Sequence, residues 1–378
     1  MNPKLKCLSL FCSGGLAETY FEEIGIEVLL ANELREDRCA FYKHLFPKTE
    51  VIQGDITKDF VKNEIIKKSI ECGVDFIIAT PPCQGMSRHG KRDKNDTRNE
   101  LITHVINIIL QINPKYVLIE NVPMQLRTSI LVDNKKFLIP DYIKSSLKNN
   151  FKIYDESIFD SSMFGVPQSR KRSIFRMVNN KVKIKWGRPK ENDFKISLND
   201  CLSELPSLDP LVRQSEKRHN FPDFKIKKEA GLQVSKWHYP PTHSWHLIET
   251  MIHTPTGKSA FENDFFYPKK SNGDKVKGRI SCYKRYRWDN PANTVTQNNG
   301  VISSAVCVHP GRKIIKNNTV TYSDPRVLTI FELMIISSLP KDWDIPDWAS
   351  EKLIRNIIGE GIPPLLVKRI MEELLIKL

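Results

Sequence analysis

The chain lacks the patterns that announce a metal, a redox pair or a membrane. None of its eight cysteines (Cys7, Cys12, Cys39, Cys72, Cys83, Cys201, Cys282, Cys307) stands in a CxxC pair, which argues against a zinc site or a dithiol motif. Thiols scattered through 378 residues also argue against a disulfide framework and fit a reducing compartment. No apolar run approaches the roughly 18 residues of a membrane helix. The stretch Cys7 to Phe11 is too short for a signal peptide, and Ser9 breaks it. A GxGxxG dinucleotide fingerprint, a Walker lysine, a HExxH pattern and internal repeats are all missing. The expectation is a cytoplasmic protein with no metal and no membrane contact.

What is present is positive charge. Lys and Arg number 58 against 44 Asp and Glu, a net charge of +14, which points to a polyanionic partner, nucleic acid first. From Arg213 to Arg287 there are 16 Lys or Arg and 7 Asp or Glu, interleaved with Phe221, Phe224, Trp237, Tyr239 and Trp245. A solvated surface is the plain meaning of a lysine run; the aromatics tilt this one toward polyanion contact. His238, His243 and His246 fall in the same stretch. With no cysteine near them, packing or DNA contact is expected of them rather than metal ligation.

The first 180 residues alternate short apolar runs with helical patterns. Strands are expected at Cys7 to Phe11, Glu27 to Ala31, Phe76 to Ala79 and Tyr116 to Ile119. Helices are expected at Ala17 to Ile24, Phe60 to Cys72 and Glu100 to Ile112, and again at Glu351 to Ile358 and Leu365 to Leu375. Such alternation predicts an α/β fold with a mainly parallel sheet covered on both faces. The texture changes after Trp186. The expected division is a catalytic domain of residues 1–185 plus 351–378 and a smaller, irregular recognition domain of 186–350.

The chemistry-bearing residues fall where those strands end. Phe11-Cys12-Ser13-Gly14-Gly15 is a glycine turn after the first strand, able to let backbone approach a ligand. Asn32-Glu33-Leu34 closes the second strand. Glu33 is placed to accept from ribose hydroxyls, or else to cap a helix. Asp55-Ile56 closes the third, as an adenine clamp or another cap. A glycine turn, a ribose acid and an adenine clamp without a phosphate cradle favour a nucleoside cofactor such as S-adenosyl-L-methionine. Pro82-Cys83-Gln84 follows the fourth strand, where an α/β sheet presents its chemistry, so Cys83 is a candidate nucleophile. The polar, basic stretch from Gln84 to Asp96, with Ser87, Arg88 and His89, reads as a loop that closes over an anionic substrate. Glu120-Asn121 ends the next strand, where burial would raise the carboxyl's pKa. Gln168-Ser-Arg170-Lys-Arg172 places two arginines on one face of an extended segment, able to bind a phosphate or a carbonyl.

In this order the motifs resemble the DNA (cytosine-5) methyltransferases of bacterial restriction-modification type, over nearly the full length. Phe11 to Gly15 resembles the family's cofactor loop, with Ser13 where Gly is usual. Glu33 with Leu34, Asp55-Ile56, Pro82 and Leu101 resemble its cofactor contacts. Pro82-Cys83 resembles the catalytic pair, Glu120-Asn121-Val122 the ENV motif, and Gln168 to Arg172 the QxRxR motif. Arg287 to Thr296 resembles the segment that organises the recognition lobe. Gly359-Glu360-Gly-Ile-Pro-Pro364 resembles the closing GNxxPP element, with Glu360 for Asn.

The resemblance implies a methyl transfer from S-adenosyl-L-methionine to carbon 5 of a cytosine flipped out of duplex DNA. It makes Cys83, Glu120, Arg170 and Arg172 catalytic, Ser13, Gly14, Gly15 and Glu360 part of the cofactor site, and Gln84, Ser87, Arg88, Gln168 and Thr294 DNA contacts. It also implies a monomer paired in function with a restriction endonuclease in a bacterium. Three rivals are weaker. A transfer RNA cytosine-5 methyltransferase would carry a Cys-Phe-Thr tripeptide, which is missing. An inactive DNA-binding homologue would more often have lost Cys83 or Glu120. A Rossmann oxidoreductase would carry GxGxxG.

Overall fold

The computed structural model describes residues 4–82, 97–154, 158–270 and 272–378. Five parallel strands form one half of its main sheet: β1 (Leu5–Leu10), β2 (Ile26–Glu33), β3 (Glu50–Gln53), β4 (Phe76–Ala79) and β5 (Tyr116–Asn121). Helices α1 (Glu36–Leu45), α2 (Asp59–Cys72) and α3 (Leu101–Ile112) lie between them in sequence. A hairpin of β6 (Ser129–Val132) and β7 (Lys135–Leu138) and helix α4 (Ile139–Leu147) lead to β8 (Phe151–Tyr154), β9 (Ile158–Asp160) and β10 (Lys171–Asn179). β10 runs antiparallel to β5, and the sheet order is β3-β2-β1-β4-β5-β10-β8, with β9 also paired to β10.

The apolar runs of β4 and β5 have no polar alternation because both faces of the sheet are covered. Leu8, Leu10, Ile77 and Val117 pack with residues of α2, α3 and α4. Cys7, Phe76, Ile78 and Tyr116 pack on the other face with Trp186 and the C-terminal helix. α2 ends where Gly73 turns left-handed at φ 69°, a conformation that Gly adopts at little cost.

The remaining chain is short elements joined by loops. They are α5 (Leu198–Leu202), β11 (Leu211–Val212), α6 (Phe224–Val234), β12 (Thr242–His243), α7 (Trp245–Ile252), a hairpin of β13 (Lys313–Lys316) and β14 (Thr319–Tyr322), α8 (Ile330–Ile336), α9 (Glu351–Glu360) and α10 (Pro364–Leu375). Amid so little regular structure, buried arginines satisfy several backbone carbonyls. Arg285 donates to the carbonyls of His309 at 2.8 Å and Met251 at 2.8 Å. Arg326 bridges Asp324 at 2.9 Å and Glu332 at 2.8 Å, and all three are buried. His238 and His243 are buried here too, His238 between Thr329 Oγ1 and the carbonyl of Pro206. Among the described residues no group of His, Cys, Asp and Glu is placed to hold a metal, and no helix is long and apolar enough to cross a membrane.

One expectation changes. Ala17 to Ile24 is a succession of turns rather than a helix, with i→i−3 bonds such as Phe21 N–H to the Glu18 carbonyl at 2.8 Å. The helical periodicity is broken because Glu18 points inward, where it accepts from the Ser9 hydroxyl. Residues 330–350 pack on both parts of the chain: α8 lies with α5, and the segment after it reaches α1. Trp343 lies 5.5 Å from Phe41 of α1, and the Tyr20 hydroxyl donates to the Ser338 carbonyl at 2.8 Å.

Candidate active site

All five parallel strands end on one rim. β1 is flanked by β2 and β4, the point where successive crossovers leave the first strand in opposite directions and a crevice opens. The turn after β1 is strained: Phe11 and Ser13 have φ of 60° and 48°, left-handed values that favour glycine. The Ser13 N–H donates to Glu33 Oε2 at 3.0 Å, and Glu33 Oε1 accepts from the N–H groups of Leu34 and Arg35 at 2.9 and 3.0 Å. Glu33 thus ties the turn after β1 to the backbone that leads into α1. Asn32 caps nothing; its amide donates across to the carbonyls of Ile52 and Gly54.

The Ser13 hydroxyl is buried without a partner among the described residues, a donor left over for a ligand. Leu34 is 61% exposed beside it. A Cβ on Gly14 would come within 2.6 Å of Ile357, so this glycine is required by the packing of α9. Asp55 accepts from the N–H of Thr57 at 2.9 Å, which holds its carboxyl below the ordinary value, and Ile56 is buried next to it. Leu101, half-buried, opens α3. These residues suit a nucleoside: hydroxyl acceptors, apolar walls, and no phosphate cradle.

Cys83, Gln84, Ser87, Arg88 and His89 lie outside the described residues. The backbone leading to Cys83 is fixed nonetheless. Thr80 N–H donates to the Leu10 carbonyl at 3.2 Å, its hydroxyl donates to the Phe11 carbonyl at 3.1 Å, and the Asn121 amide donates to the Pro81 carbonyl at 3.0 Å. Asn121 therefore ties the Pro81-Pro82 approach to the strand that carries Glu120.

Glu120 is buried, and Arg172 Nε meets its Oε1 at 2.6 Å. This pairing follows from register, since Ile174 of β10 sits opposite Glu120 and the strand passes Arg172 back along the same rim. Burial pushes the Glu120 carboxyl above its ordinary value, while the guanidinium groups of Arg172 and Arg170 pull the other way.

The two arginines of this motif have different surroundings. Arg170, 3% exposed, donates to the carbonyls of Val295, Gly359 and Glu360 at 2.7, 3.0 and 2.7 Å. It clamps the closing glycine element to the Val295 segment. Arg172 is the arginine on Glu120. Gln168, expected to contact DNA, is held inside the chain. It is 1% exposed, its amide accepts from Val295 N–H at 3.1 Å, and its NH₂ faces Ser337 at 3.3 Å. Thr294 stays exposed, its hydroxyl donating to the Ser169 carbonyl at 2.9 Å.

Sequence reasoning missed Glu18 and Arg38. Glu18 is fully buried, and its carboxyl is pushed up to about 7 by desolvation. Arg38 of α1 pairs with Glu360 across the crevice. Neither has a local sequence signal, because each depends on a partner distant in the chain.

The stretch from Tyr267 to Arg279 is a basic ribbon, with five Lys or Arg and one acid. Lys269 and Lys275 pair across it and hold their ammonium groups 5.1 and 4.8 Å from the Tyr267 ring centre. Phe265 beside it is 80% exposed.

The family model for C-5 cytosine-specific DNA methylases matches residues 5–375. The chain belongs to that family. A type II methyltransferase, M1.HgaI of Avibacterium volantium, is 42% identical over 379 residues, with 99% of each chain covered. M1.HphI of Haemophilus parahaemolyticus is 25% identical, covering 98% of this chain and 87% of its own. Among solved structures, a prophage-encoded Escherichia coli protein assigned as a DNA modification methyltransferase superposes with a TM-score of 0.66 at 20% identity, 99% of each chain covered. Spodoptera frugiperda DNMT2 follows at 0.61 and 19%, covering 98% of this chain and 99% of its own. At those identities the two structures speak for the fold alone. The methylase is accordingly a DNA (cytosine-5) methyltransferase with the Rossmann-like α/β architecture expected from its strand–helix alternation.

Proposed function

We propose that the methylase adds its methyl group to a flipped cytosine in one short duplex sequence, through a covalent adduct on Cys83. The observation that carries this reading is the buried Glu120–Arg172 pair beside the anchored Pro81-Pro82 turn. S-Adenosyl-L-methionine supplies the electrophilic methyl. Ser13, Gly14, Gly15, Glu33, Leu34, Asp55, Ile56, Pro82 and Leu101 hold it in this reading, with Glu360 at the edge of the crevice.

Cytosine carbon 5 is a poor nucleophile in the aromatic ring. The Cys83 thiolate adds to carbon 6, and the electron pair of the 5,6 double bond becomes available at carbon 5. Glu120, whose carboxyl burial pushes above its ordinary value, donates toward ring N3 in this reading and so favours that addition. Arg172 orients Glu120 and faces the carbonyl side of the ring. After methylation a base removes the carbon 5 proton, its electrons restore the double bond, and the thiolate leaves carbon 6. The base must leave the stack for this, at a cost of a few kcal/mol. Gln84, Ser87, Arg88 and Thr294 are then the contacts that stabilise the opened duplex. The recognition lobe, residues 186–350, supplies phosphate contacts through the Tyr267–Arg279 ribbon.

Because its relative M1.HgaI is a type II methyltransferase, we read the biological role as protection of bacterial DNA against a cognate endonuclease, by a monomer. Conversion-based sequencing of unmethylated plasmid, after incubation with protein and S-adenosyl-L-methionine, tests the reading. Protected cytosines in one short motif, lost with Cys83→Ala, support it. No protection from a folded protein rejects it, and protection of cytosines in transfer RNA instead moves the substrate.

A further inference from the structure

The β13–β14 hairpin is a two-stranded arm fixed at its root. The Arg312 N–H donates to Ser323 Oγ at 3.0 Å, and the Ser323 N–H donates back to the Arg312 carbonyl at 2.9 Å. Trp288 Nε1–H donates to the Gly311 carbonyl at 2.7 Å, and the Arg312 guanidinium lies 4.5 Å from the Trp288 ring centre. At the tip Lys316 pairs with Thr319 across Asn317 and Asn318, both left-handed at φ 47° and 58°, which closes a tight two-residue turn. Between root and tip β13 pairs with β14 alone, and α7 lies beside β14. Among the described residues the outer edge of β13 is therefore open, and all four of its residues are exposed.

β13 reads Lys313-Ile314-Ile315-Lys316, the same in both directions. Ile314 is 45% exposed, Ile315 66%, and Val320, opposite Ile315, 41%. Residues 311–322 carry Arg312, Lys313 and Lys316 and no acid. No ion pair with a described residue engages Lys313 or Lys316. Lysines keep an open edge solvated; isoleucines between them do not. A row of unpaired N–H and C=O groups beside apolar side chains is a template for another strand. A second copy is a poor occupant, because in-register pairing of β13 with itself sets lysine against lysine in either direction. DNA phosphates would pair with the cations and leave the isoleucines and the backbone row in water. The complement of this edge is an extended segment with two acids around two apolar residues.

We propose that β13 is a docking edge for a partner protein, which adds a strand of the order acid–apolar–apolar–acid. Its acids meet Lys313 and Lys316, its apolar pair meets Ile314 and Ile315, and its backbone extends the ladder. The order fits parallel or antiparallel, since both strands read alike from each end. The two lysines give specificity: they reject a second copy and a basic strand, and they admit an acidic one. None of these residues belongs to the site of methyl transfer, so the proposal does not rest on the cytosine reading.

Fluorescence anisotropy with the full chain tests this, using a labelled peptide Ser-Thr-Glu-Val-Val-Glu-Thr-Ser and its counterpart with Lys for both Glu. The acidic peptide should bind with a Kd on the order of 100 μM, at least about tenfold tighter than the basic one. The double variant Lys313→Glu, Lys316→Glu should reverse that preference, and the gain of the basic peptide also shows that the arm is folded. N-methylation of every second peptide residue should abolish binding in one phase and spare it in the other, because only one edge of the added strand faces β13. Three results would each overturn the proposal: equal or no binding of the two peptides by the unmodified chain, an unchanged preference in the variant, or equal effects of the two methylation phases. A variant that loses duplex affinity, when the unmodified chain binds neither peptide, would overturn it in favour of a DNA contact.

Discussion

Arg170 and Arg172 are two residues apart, yet their surroundings assign them different tasks. Arg170 satisfies three backbone carbonyls in the interior. Arg170→Met should therefore destabilise the fold, by on the order of 3 kcal/mol for the buried acceptors left without donors, seen as a lower thermal midpoint. Arg172 meets Glu120. Arg172→Met should lower kcat with a smaller change in thermal midpoint, and Glu120→Gln should lower kcat roughly 100-fold or more while cofactor affinity holds. If Arg170→Met spares stability and removes turnover, the division is reversed.

Glu18 gives the clearest pH dependence. In the folded chain its carboxyl is pushed up to about 7, against an ordinary 4.5. Between those values the folded chain binds more protons than the unfolded chain, so this group's contribution to stability is lost as pH rises across that window. The loss is on the order of 3 kcal/mol. Glu18→Gln should flatten the stability profile, and denaturant titrations from about pH 5 to 8 should show the variant gaining on the unmodified chain as pH rises. A constant difference across that range would show that Glu18 is ionised in the fold.

At the scale of elements, the basic ribbon from Tyr267 to Arg279 is where phosphate contact is expected. Replacing Lys275 and Lys277 by Ala should reduce the slope of log K against log salt by about one for each phosphate contact removed. Fluorescence anisotropy of a labelled duplex would report it, and an unchanged slope would place the contacts elsewhere. This element was legible in the sequence only as a charge imbalance mixed with aromatics, because its shape depends on two lysines meeting the Tyr267 ring. β4 was legible to the residue, and α2 and α3 to within one or two, because apolar period and burial agree there. The turns from Ala17 to Ile24 were not, since an inward Glu18 overrides the local pattern. Antiparallel β10 was not expected either. Its motif marks chemistry, but which strand it pairs with is settled only by the sheet.

At the scale of the whole molecule, the rim of the sheet was readable from chain order: Ser13, Glu33, Asp55 and Glu120 all fall at strand ends, as the motifs require. The segment 330–350 packs with both α5 and α1, and composition alone does not report such distant partners. The surplus of positive charge, +14 overall, should make DNA binding fall steeply with salt.

The covalent step is tested most directly by trapping. A duplex carrying 5-fluorocytosine at the modified position lacks the proton whose loss frees the enzyme. Incubated with the protein and S-adenosyl-L-methionine, it should give a protein–DNA adduct stable to denaturation, mapped to Cys83 by mass spectrometry and absent with Cys83→Ala. Methylation of ordinary duplex without any trapped adduct, or an adduct on another cysteine, would contradict the mechanism.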